Sequence, residues 1–395
     1  MAQEGQNQLL VPGSWLSIGY IYLYGVLTSA SLSKIIPVLA DVGEHLGATS
    51  TQYGLLISLM TVIPALLAAV AGSAIDRLGA RRTLQLVALT GMAVNGAYLV
   101  AQSLGAFMSI RVLEGLLAVG AYAAAPGLMM ASSPPERRGR AMALWSTYSP
   151  LGTSLGLLLS GTFAGTASWL GGYRLHLMLF AVLALTSPLL PHVQGAPRAG
   201  GKRAGLLDAW TQGGPLRLSL AFAALIVIGF GATTVYPQWF ALQHQVPVGD
   251  ASKMFSLVTL LMIPGSLAAG ALLARGRRDL QLLGWLLLAS VLISLPMFAP
   301  GLGKVPRLGA MAAWMLVQGA GIAVIMAALP RVVANPLQGA GAAGLLSQIA
   351  ALITFVTPLV WQPMLHAGAW QAFVALVAVA ATAAWLLFPR RGPAG

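Results

Sequence analysis

Twelve apolar segments dominate this 395-residue chain, and each is about as long as a helix that crosses a lipid bilayer. The predicted segments are 14–40, 52–75, 83–104, 106–131, 141–165, 173–192, 216–240, 253–274, 280–298, 308–330, 340–362 and 369–388. Hydrophobic residues make up 57% of the chain and charged residues only 8%, so the chain cannot cover itself with a polar surface. The sequence therefore predicts an all-α protein that spans a membrane twelve times.

The positive residues predict the orientation of these spans. If the N-terminus is cytoplasmic, 16 of the 22 Lys and Arg residues fall in cytoplasmic loops. Two more, Lys34 and Arg111, lie within spans, and the outer ends hold only Arg174, Lys253, Lys304 and Arg307. Because Lys and Arg accumulate on the cytoplasmic side, we expect an inner-membrane protein with both termini in the cytoplasm. This topology also explains the net charge of +13, so no nucleic-acid partner is predicted.

The two halves of the sequence resemble each other. LLISLMTVIPALLAAVAG at 55–72 aligns with FSLVTLLMIPGSLAAG at 255–270, which matches Pro64 to Pro264. Such internal repeats are typical of secondary transporters. We expect two six-helix bundles, at 1–192 and 216–395, joined by a cytoplasmic linker at 193–215.

A short charged segment, GSAIDRLGARR at 72–82, lies between the second and third spans. It resembles the G-x-x-x-D-R-x-G-R-R loop signature of the major facilitator superfamily through Gly72, Asp76, Arg77, Gly79, Arg81 and Arg82. The fourth span is similar to a second family pattern, R-x-x-Q-G, through Arg111, Glu114, Gly115 and Gly120, with Glu in place of Gln. The resemblance implies a secondary transporter in which two pseudo-symmetric bundles rock about a midplane site.

The resemblance also implies a conformational latch. In the family, the acid of the signature touches the start of the eleventh span and stabilises the outward-open state. Here Asp76 would meet the stretch QGAGAAG at 338–344, where Gly339 and Gly341 permit close approach. A helix N-terminus stabilises a nearby carboxylate. The alternative is that this basic segment only sets the topology.

Three ionisable residues, Lys34, Arg111 and Glu114, lie inside predicted spans, where charge is costly. Arg111 and Glu114 are three residues apart and can pair on one helix face. Protonation of Glu114 would release Arg111 for an anion, which predicts coupling between protons and an anionic substrate. The alternatives are a structural role for the pair and, for Lys34, a side chain that reaches the outer surface near Asp41 and Glu44.

Polar and aromatic residues of several spans complete the predicted substrate site. They suit an amphipathic organic molecule and are Tyr24, Tyr236, Gln238, Trp239, Trp314, Gln318 and Gln348. Pro150 and Gly152 partly match the G-P-x-x-G kink motif of efflux members of the superfamily. Two functions stay open: proton-coupled transport of a small organic anion, and proton-antiport efflux of drugs, metabolites or siderophores. In either case we expect a monomer surrounded by lipid.

No enzymatic centre is predicted. GTSLG at 152–156 matches a hydrolase nucleophile motif, but it lies within an apolar helix rather than at a strand-to-helix turn. GAGAAG at 339–344 matches a dinucleotide motif, but no predicted strand precedes it. The sequence has no cysteine and no clustered His and acidic residues, so neither a metal site nor a cofactor is expected.

Overall fold

The computed structural model of the chain describes residues 10–192, 211–332 and 339–390, and all regular structure in these residues is helical. The α-helices are α1 (Trp15–Ser33), α2 (Leu39–Leu46), α3 (Ser50–Ser58), α4 (Val62–Leu78), α5 (Ala80–Tyr98), α6 (Leu104–Ser132), α7 (Pro135–Trp145), α8 (Tyr148–Gly161), α9 (Gly171–Thr186), α10 (Gly213–His244), α11 (Val248–Thr259), α12 (Met262–Ala274), α13 (Asp279–Phe298), α14 (Lys304–Ala328), α15 (Gly339–His366) and α16 (Trp370–Leu387). Short 3-10 helices lie at Ile36–Val38, Leu59–Thr61, Ser187–Leu189 and Leu329–Arg331.

Each predicted span corresponds to a helical segment, and four spans consist of two helices. The first span is α1 with α2, the second α3 with α4, the fifth α7 with α8, and the eighth α11 with α12. Within the described residues, 10 segments are long and apolar enough to cross a membrane. Large apolar side chains such as Leu185 and Val305 are about four-fifths exposed, as expected for a surface that faces lipid. We call the end with the turns at 99–103 and 299–303 the outer end, following the predicted orientation.

The structure differs from the predicted spans in three places. The segment 14–40 is not one helix, because a 3-10 helix at Ile36–Val38, which contains Pro37, follows α1. The predicted loop at 76–82 is almost entirely helical, and only Gly79 separates α4 from α5. The tenth span begins at Lys304 rather than 308, which places Arg307 inside a helix.

Side chains fix several helix starts. Ser14 and Ser103 each accept a hydrogen bond from a backbone N–H in the first turn of α1 and α6, at 3.2 Å. Thr49 and Gln52 form a capping box at the start of α3. Such caps satisfy backbone groups that a helix terminus leaves unpaired.

The two halves repeat with an offset of about 200 residues, as the alignment of Pro64 with Pro264 predicts. The fourth span begins at Leu104 and the tenth at Lys304, and the second and eighth spans break at 59–61 and 260–261. Because span starts and breaks recur at equivalent positions, the two halves are pseudo-symmetric. Of the predicted linker, residues 193–210 lie outside the described part, so the domain boundaries stay a prediction.

The halves meet along two helix pairs that the pseudo-symmetry relates, the second span with the eleventh and the fifth with the eighth. Glycines allow close approach in both pairs. A Cβ atom at Gly54 would lie 2.6 Å from the carbonyl oxygen of Pro358, and one at Gly249 would lie 2.4 Å from that of Gly161. Because these contacts lie toward the outer end, the halves are packed closely there.

Candidate functional site

The three ionisable residues predicted within spans form one buried cluster in the N-terminal half. Lys34, Arg111 and Glu114 are each 0% exposed. The Lys34 ammonium lies 2.5 Å from one carboxylate oxygen of Glu114, and Arg111 Nη1 lies 2.6 Å from the other. The predicted pairing of Arg111 with Glu114 is therefore present, and Lys34 joins it from the first span.

The Lys34 side chain is held by groups from three other spans. Its ammonium donates to Asn95 Oδ1 at 2.6 Å and lies 5.0 and 4.8 Å from the ring centres of Tyr98 and Tyr173. Rings at this distance attract a cation through their electron-rich faces. Lys34 does not reach toward Asp41, whose carboxylate accepts the backbone N–H of Gly165 at 3.0 Å. The alternative of a lysine extended to the outer surface is therefore wrong.

Glu114 accepts a third hydrogen bond, from the hydroxyl of Tyr98 at 2.8 Å. Its carboxylate thus links the first, third and fourth spans. A buried carboxylate is tolerated only when such partners replace water.

Arg111 also bridges two broken helices. Its Nη1 and Nη2 donate to the carbonyls of Ser31 at 2.8 Å and Leu32 at 2.9 Å, in the last turn of α1. Its Nε donates to the carbonyl of Leu56 at 3.1 Å, in the last turn of α3. Carbonyls in a last helical turn have no partner within the helix and carry partial negative charge. Arg111 therefore stabilises the breaks in the first and second spans, in addition to pairing with Glu114.

The cluster holds more positive than negative formal charge. Two cations share the single carboxylate of Glu114, while three carbonyls also face the guanidinium. Loss of the Glu114 charge would leave both cations without a carboxylate in a site that water does not reach.

Sequence reasoning missed Asn95, Tyr98 and Tyr173 in this cluster. A signal for Asn95 was present, because it is the only asparagine within any predicted span. A single amide in an apolar span needs a hydrogen-bonding partner. Tyr98 and Tyr173 carry no such signal, since aromatic residues are common throughout these spans.

Four of the predicted substrate residues of the C-terminal half form a second buried group, rich in aromatic rings: Tyr236, Trp239, Trp314 and Gln318. Tyr236 donates its hydroxyl to the carbonyl of Arg307 at 3.1 Å, and Gln318 donates to Ser290 Oγ at 3.2 Å. Trp239 and Trp314 are almost completely buried, and their indole N–H groups have no partner in the structure. These groups could donate to acceptors on an organic ligand.

The other predicted substrate residues lie apart from these two groups. Tyr24 is buried in the N-terminal half, where its ring centre lies 5.8 Å from that of Tyr20. Gln348 reaches across the interface to the carbonyl of Ala65, at 3.4 Å. Gln238 is half-buried in α10. The predicted site is thus distributed over both halves and their interface.

The match to a family decides the identity. The sequence profile of the Major Facilitator Superfamily matches residues 21–355. The chain belongs to the Major Facilitator Superfamily. Membership confirms the resemblance drawn from residues 72–82 and from the fourth span, and it confirms the expectation that the chain is no enzyme.

Curated relatives in the superfamily carry varied names. The hexuronate transporter of Bacillus subtilis (strain 168) is 25% identical over 267 residues, which is 64% of this chain and 62% of that protein. The fatty acid resistance protein FarB of Neisseria gonorrhoeae is 28% identical over 154 residues, 39% of this chain and 30% of FarB. The multidrug resistance protein MdtG of Yersinia enterocolitica is 32% identical over 144 residues, 35% of this chain and 34% of MdtG. Each match spans less than two thirds of the relative.

Solved structures of the superfamily share the fold. A bacterial homologue of the human lysosomal transporter Spinster, in an inward-facing and unoccupied conformation, superposes with a TM-score of 0.79 at 16% identity. The match covers 95% of this chain and 98% of that one. A mutant of the nucleoside transporter NupG gives a TM-score of 0.72 at 15% identity, covering 94% of this chain and 100% of that one. The predicted fold of two pseudo-symmetric six-helix bundles is confirmed.

The superfamily signature at 72–82 lies where α4 meets α5. Gly79 has φ of +85°, a conformation that glycine adopts without strain, and this lets one helix follow the other without a loop. Arg81 donates to the carbonyl of Pro188 at 2.6 Å, whereas Arg77 and Arg82 are exposed. Arg81 thus ties this junction to the sixth span.

The predicted partners of the latch cannot be placed in contact. The side chain of Asp76 and the surroundings of Gly72, Gly339 and Gly341 lie outside the described part of the structure. The described part of α15 starts at Gly339. The latch itself stays a prediction.

The kink residues Pro150 and Gly152 lie in the first turns of α8. The break in the fifth span comes just before them, between Trp145 and Tyr148, because Pro150 has no N–H to continue a helical ladder from α7. A Cβ atom at Gly152 would lie 2.3 Å from the carbonyl oxygen of Val26. Gly152 therefore allows the first and fifth spans to pack with their backbones in contact.

Proposed function

We propose that this protein is a secondary active transporter that moves a small organic anion by alternating access and couples its movement to protons at Glu114. It acts as a monomer in the inner membrane, with both termini in the cytoplasm. No nucleic acid or cofactor takes part. The observation that supports this proposal is the fully buried carboxylate of Glu114, shared by Lys34 and Arg111.

The coupling follows from the charge balance of the cluster. When Glu114 is ionised, it neutralises one of its two cations, while Asn95 Oδ1 accepts from Lys34 and three backbone carbonyls accept from Arg111. When Glu114 is protonated, the two cations repel each other and attract an anion. A proton and a substrate anion would therefore occupy the site together and leave it together.

The same charge balance suggests how binding changes the conformation. Lys34 and Arg111 connect Glu114 to the ends of broken helices in the first and second spans, and the second span packs on the C-terminal half. A change in the position of either cation would alter the angle of a half-helix at that interface. The aromatic group of the C-terminal half, with the free indole N–H groups of Trp239 and Trp314, would hold the organic part of the substrate.

Transport by purified protein in proteoliposomes tests the role of Glu114. Labelled glucuronate, a hexuronate, and a labelled fatty acid are suitable first probes, because hexuronate and fatty acid appear in the names of relatives. We expect Glu114→Gln to abolish accumulation driven by a pH gradient but to retain exchange of substrate across the membrane. Exchange shows that the variant is folded.

Glu136→Gln is the matched control, because Glu136 is an exposed acid of the same half. It should accumulate substrate as the unchanged protein does. Accumulation by Glu114→Gln with an unaltered pH dependence would contradict the proposal.

Proton-antiport efflux of drugs, metabolites or siderophores is the second candidate function. FarB and MdtG, which are similar to parts of this chain, are named as resistance proteins. The partial kink motif at Pro150 and Gly152 favours the same function. In proteoliposomes the two candidates differ in the direction of substrate flow. A proton gradient moves the substrate of an antiporter against the flow of protons, whereas it moves a substrate that travels together with the proton in the same direction as the protons.

The latch between Asp76 and the start of the eleventh span belongs to the same proposal. Since the latch stabilises one conformation rather than the substrate site, Asp76→Asn should reduce turnover strongly and change substrate affinity by no more than a few-fold. Glu136→Gln, a change of an exposed acid outside the signature segment, is the control. Unimpaired transport by Asp76→Asn would exclude the latch.

A further inference from the structure

Arg307 is buried at the outer end of the C-terminal half, with only part of its hydrogen-bonding capacity used. It lies in the first turn of α14 and is 1% exposed. Its Nη2 donates to the carbonyl of Ala299 at 2.5 Å, while Nε and Nη1 have no partner. The guanidinium therefore reaches back past the start of α14, and two of its nitrogens are buried there without a partner.

The start of α14 is itself electropositive and has no negative group of its own. Its N-cap residue, Gly303, supplies no side-chain hydrogen bond, and the first turn contains no acidic residue. The first N–H groups of a helix are unpaired, and the helix dipole places partial positive charge at this end. Both features attract an anion.

Lys304 and His244 are two further cationic or titratable groups near the start of α14. Lys304, in the first turn, is exposed, and both Lys304 and Arg307 are within electrostatic range of His244 at the end of α10. The Nε2 atom of His244 has no partner. Asp250, the acid at the start of α11, pairs with Lys253 at 3.0 Å. Among the described residues no carboxylate neutralises Arg307.

We propose that Arg307, Lys304 and the N-terminus of α14 form a binding site for an oxyanion, a carboxylate or a phosphate, at the outer end of the C-terminal half. A buried arginine is stable only when its charge and its donors are compensated. The carbonyl of Ala299 uses one nitrogen, and a bound oxyanion would use the two that remain. The oxyanion comes either from a dissolved anion or from the phosphodiester headgroup of an outer-leaflet lipid.

Thermal unfolding of the purified full-length protein tests the site, because a ligand that binds the folded state raises the unfolding temperature. In detergent, inorganic phosphate and acetate are each compared with sodium chloride at equal ionic strength. In lipid nanodiscs, phosphatidylglycerol mixed with phosphatidylcholine is compared with phosphatidylcholine alone. We expect at least one of these oxyanions to raise the unfolding temperature by about 2 °C or more.

The shift should vanish in Arg307→Gln and persist in Arg174→Gln, which changes an exposed arginine of the N-terminal half at the same end. Lys304→Gln should reduce the shift, and because Lys304 is exposed this variant tests the site even if Arg307→Gln does not fold. A shift with phosphate or acetate in detergent identifies a dissolved oxyanion, and a shift only with phosphatidylglycerol identifies a lipid headgroup. No shift in either medium, or an equal shift in Arg307→Gln, would overturn the proposal.

Discussion

The N-terminal and C-terminal halves place different chemistry at equivalent positions of the same scaffold. With the 200-residue offset, Tyr98 corresponds to Phe298, Glu114 to Trp314, and Tyr173 to Phe373. Both sets are buried. In both halves these rings pack on each other, since Tyr98 and Tyr173 lie 4.7 Å apart and so do Phe298 and Phe373, but only the N-terminal rings also surround an ion cluster. One fold can thus support an electrostatic core and an aromatic core, depending on a few residues.

This difference matches the two roles in the proposed function, which are proton coupling in the N-terminal half and binding of the organic part of the substrate in the C-terminal half. A buried carboxylate shared by two cations responds to a proton, while stacked rings respond to the shape of an organic molecule. The N-terminal core therefore depends on charge compensation, and the C-terminal core depends on packing.

The largest effect is expected from removal of the shared carboxylate. Glu114→Ala leaves Lys34 and Arg111 buried without a counter-charge, which we expect to reduce the free energy of unfolding by about 3 to 5 kcal/mol. Chemical denaturation of the purified protein in detergent measures this change. Glu136→Ala, at an exposed position, should change it by less than about 0.5 kcal/mol. A loss in Glu114→Ala no larger than in this control would mean that the cluster is not held by charge.

A smaller effect is expected from a pair of tyrosine substitutions, one in each half. Tyr98→Phe removes a hydrogen bond to a carboxylate and should cost about 1.5 to 3 kcal/mol. Tyr236→Phe removes a hydrogen bond to a backbone carbonyl and should cost about 0.5 to 1.5 kcal/mol. The same denaturation experiment compares them. If Tyr236→Phe proved the more costly change, the contrast between a charged and an uncharged core would fail.

The smallest effect is expected at the two interfaces between the halves, formed by the second span with the eleventh and by the fifth span with the eighth. Both interfaces depend on close contact at a glycine. Gly54→Ala places a methyl group against the carbonyl of Pro358 and should weaken the outer contact by about 1 kcal/mol. Because the sequence contains no cysteine, Ser252→Cys at the buried start of the eighth span provides a unique reporter at the other interface. If both interfaces open together, Gly54→Ala should raise the labelling rate of that cysteine about fivefold.

Gly127→Ala is the control for this last experiment, since a Cβ atom at Gly127 would meet nothing within 4 Å. It should leave the labelling rate unchanged. An unchanged rate in Gly54→Ala would indicate that the two interfaces open independently.

The spans and the repeat were predictable because they depend on local properties. Hydropathy over about 20 residues defines a span, and Pro64 and Pro264 align without knowledge of any contact. Helix ends were less predictable. The segment 76–82 looks like a loop because it is charged, yet a single glycine with positive φ suffices to join α4 to α5. Arg307 looks like a loop residue for the same reason, yet it lies inside α14.

The candidate site was predictable only in part. The spacing of Arg111 and Glu114 on one helix predicts their contact, because residues three apart share a helix face. The partners of Lys34 were not predictable in the same way, since a long side chain at a helix end can reach outward to Asp41 or inward to Glu114. The roles of Trp314, Gln348 and the latch residues stay predictions.

The sequence alone determined that this chain is a helical membrane protein with twelve spans in two similar halves, because apolar length and positive charge decide how a segment inserts. Only the tertiary structure decided where the rare charges go. Lys34 meets Glu114 across 80 residues of sequence and Asn95 across 61, and Arg111 meets the end of α3 across 55. Such contacts exist because helix breaks and packed helices bring distant side chains within 3 Å or so, in a medium where an unpaired charge is costly.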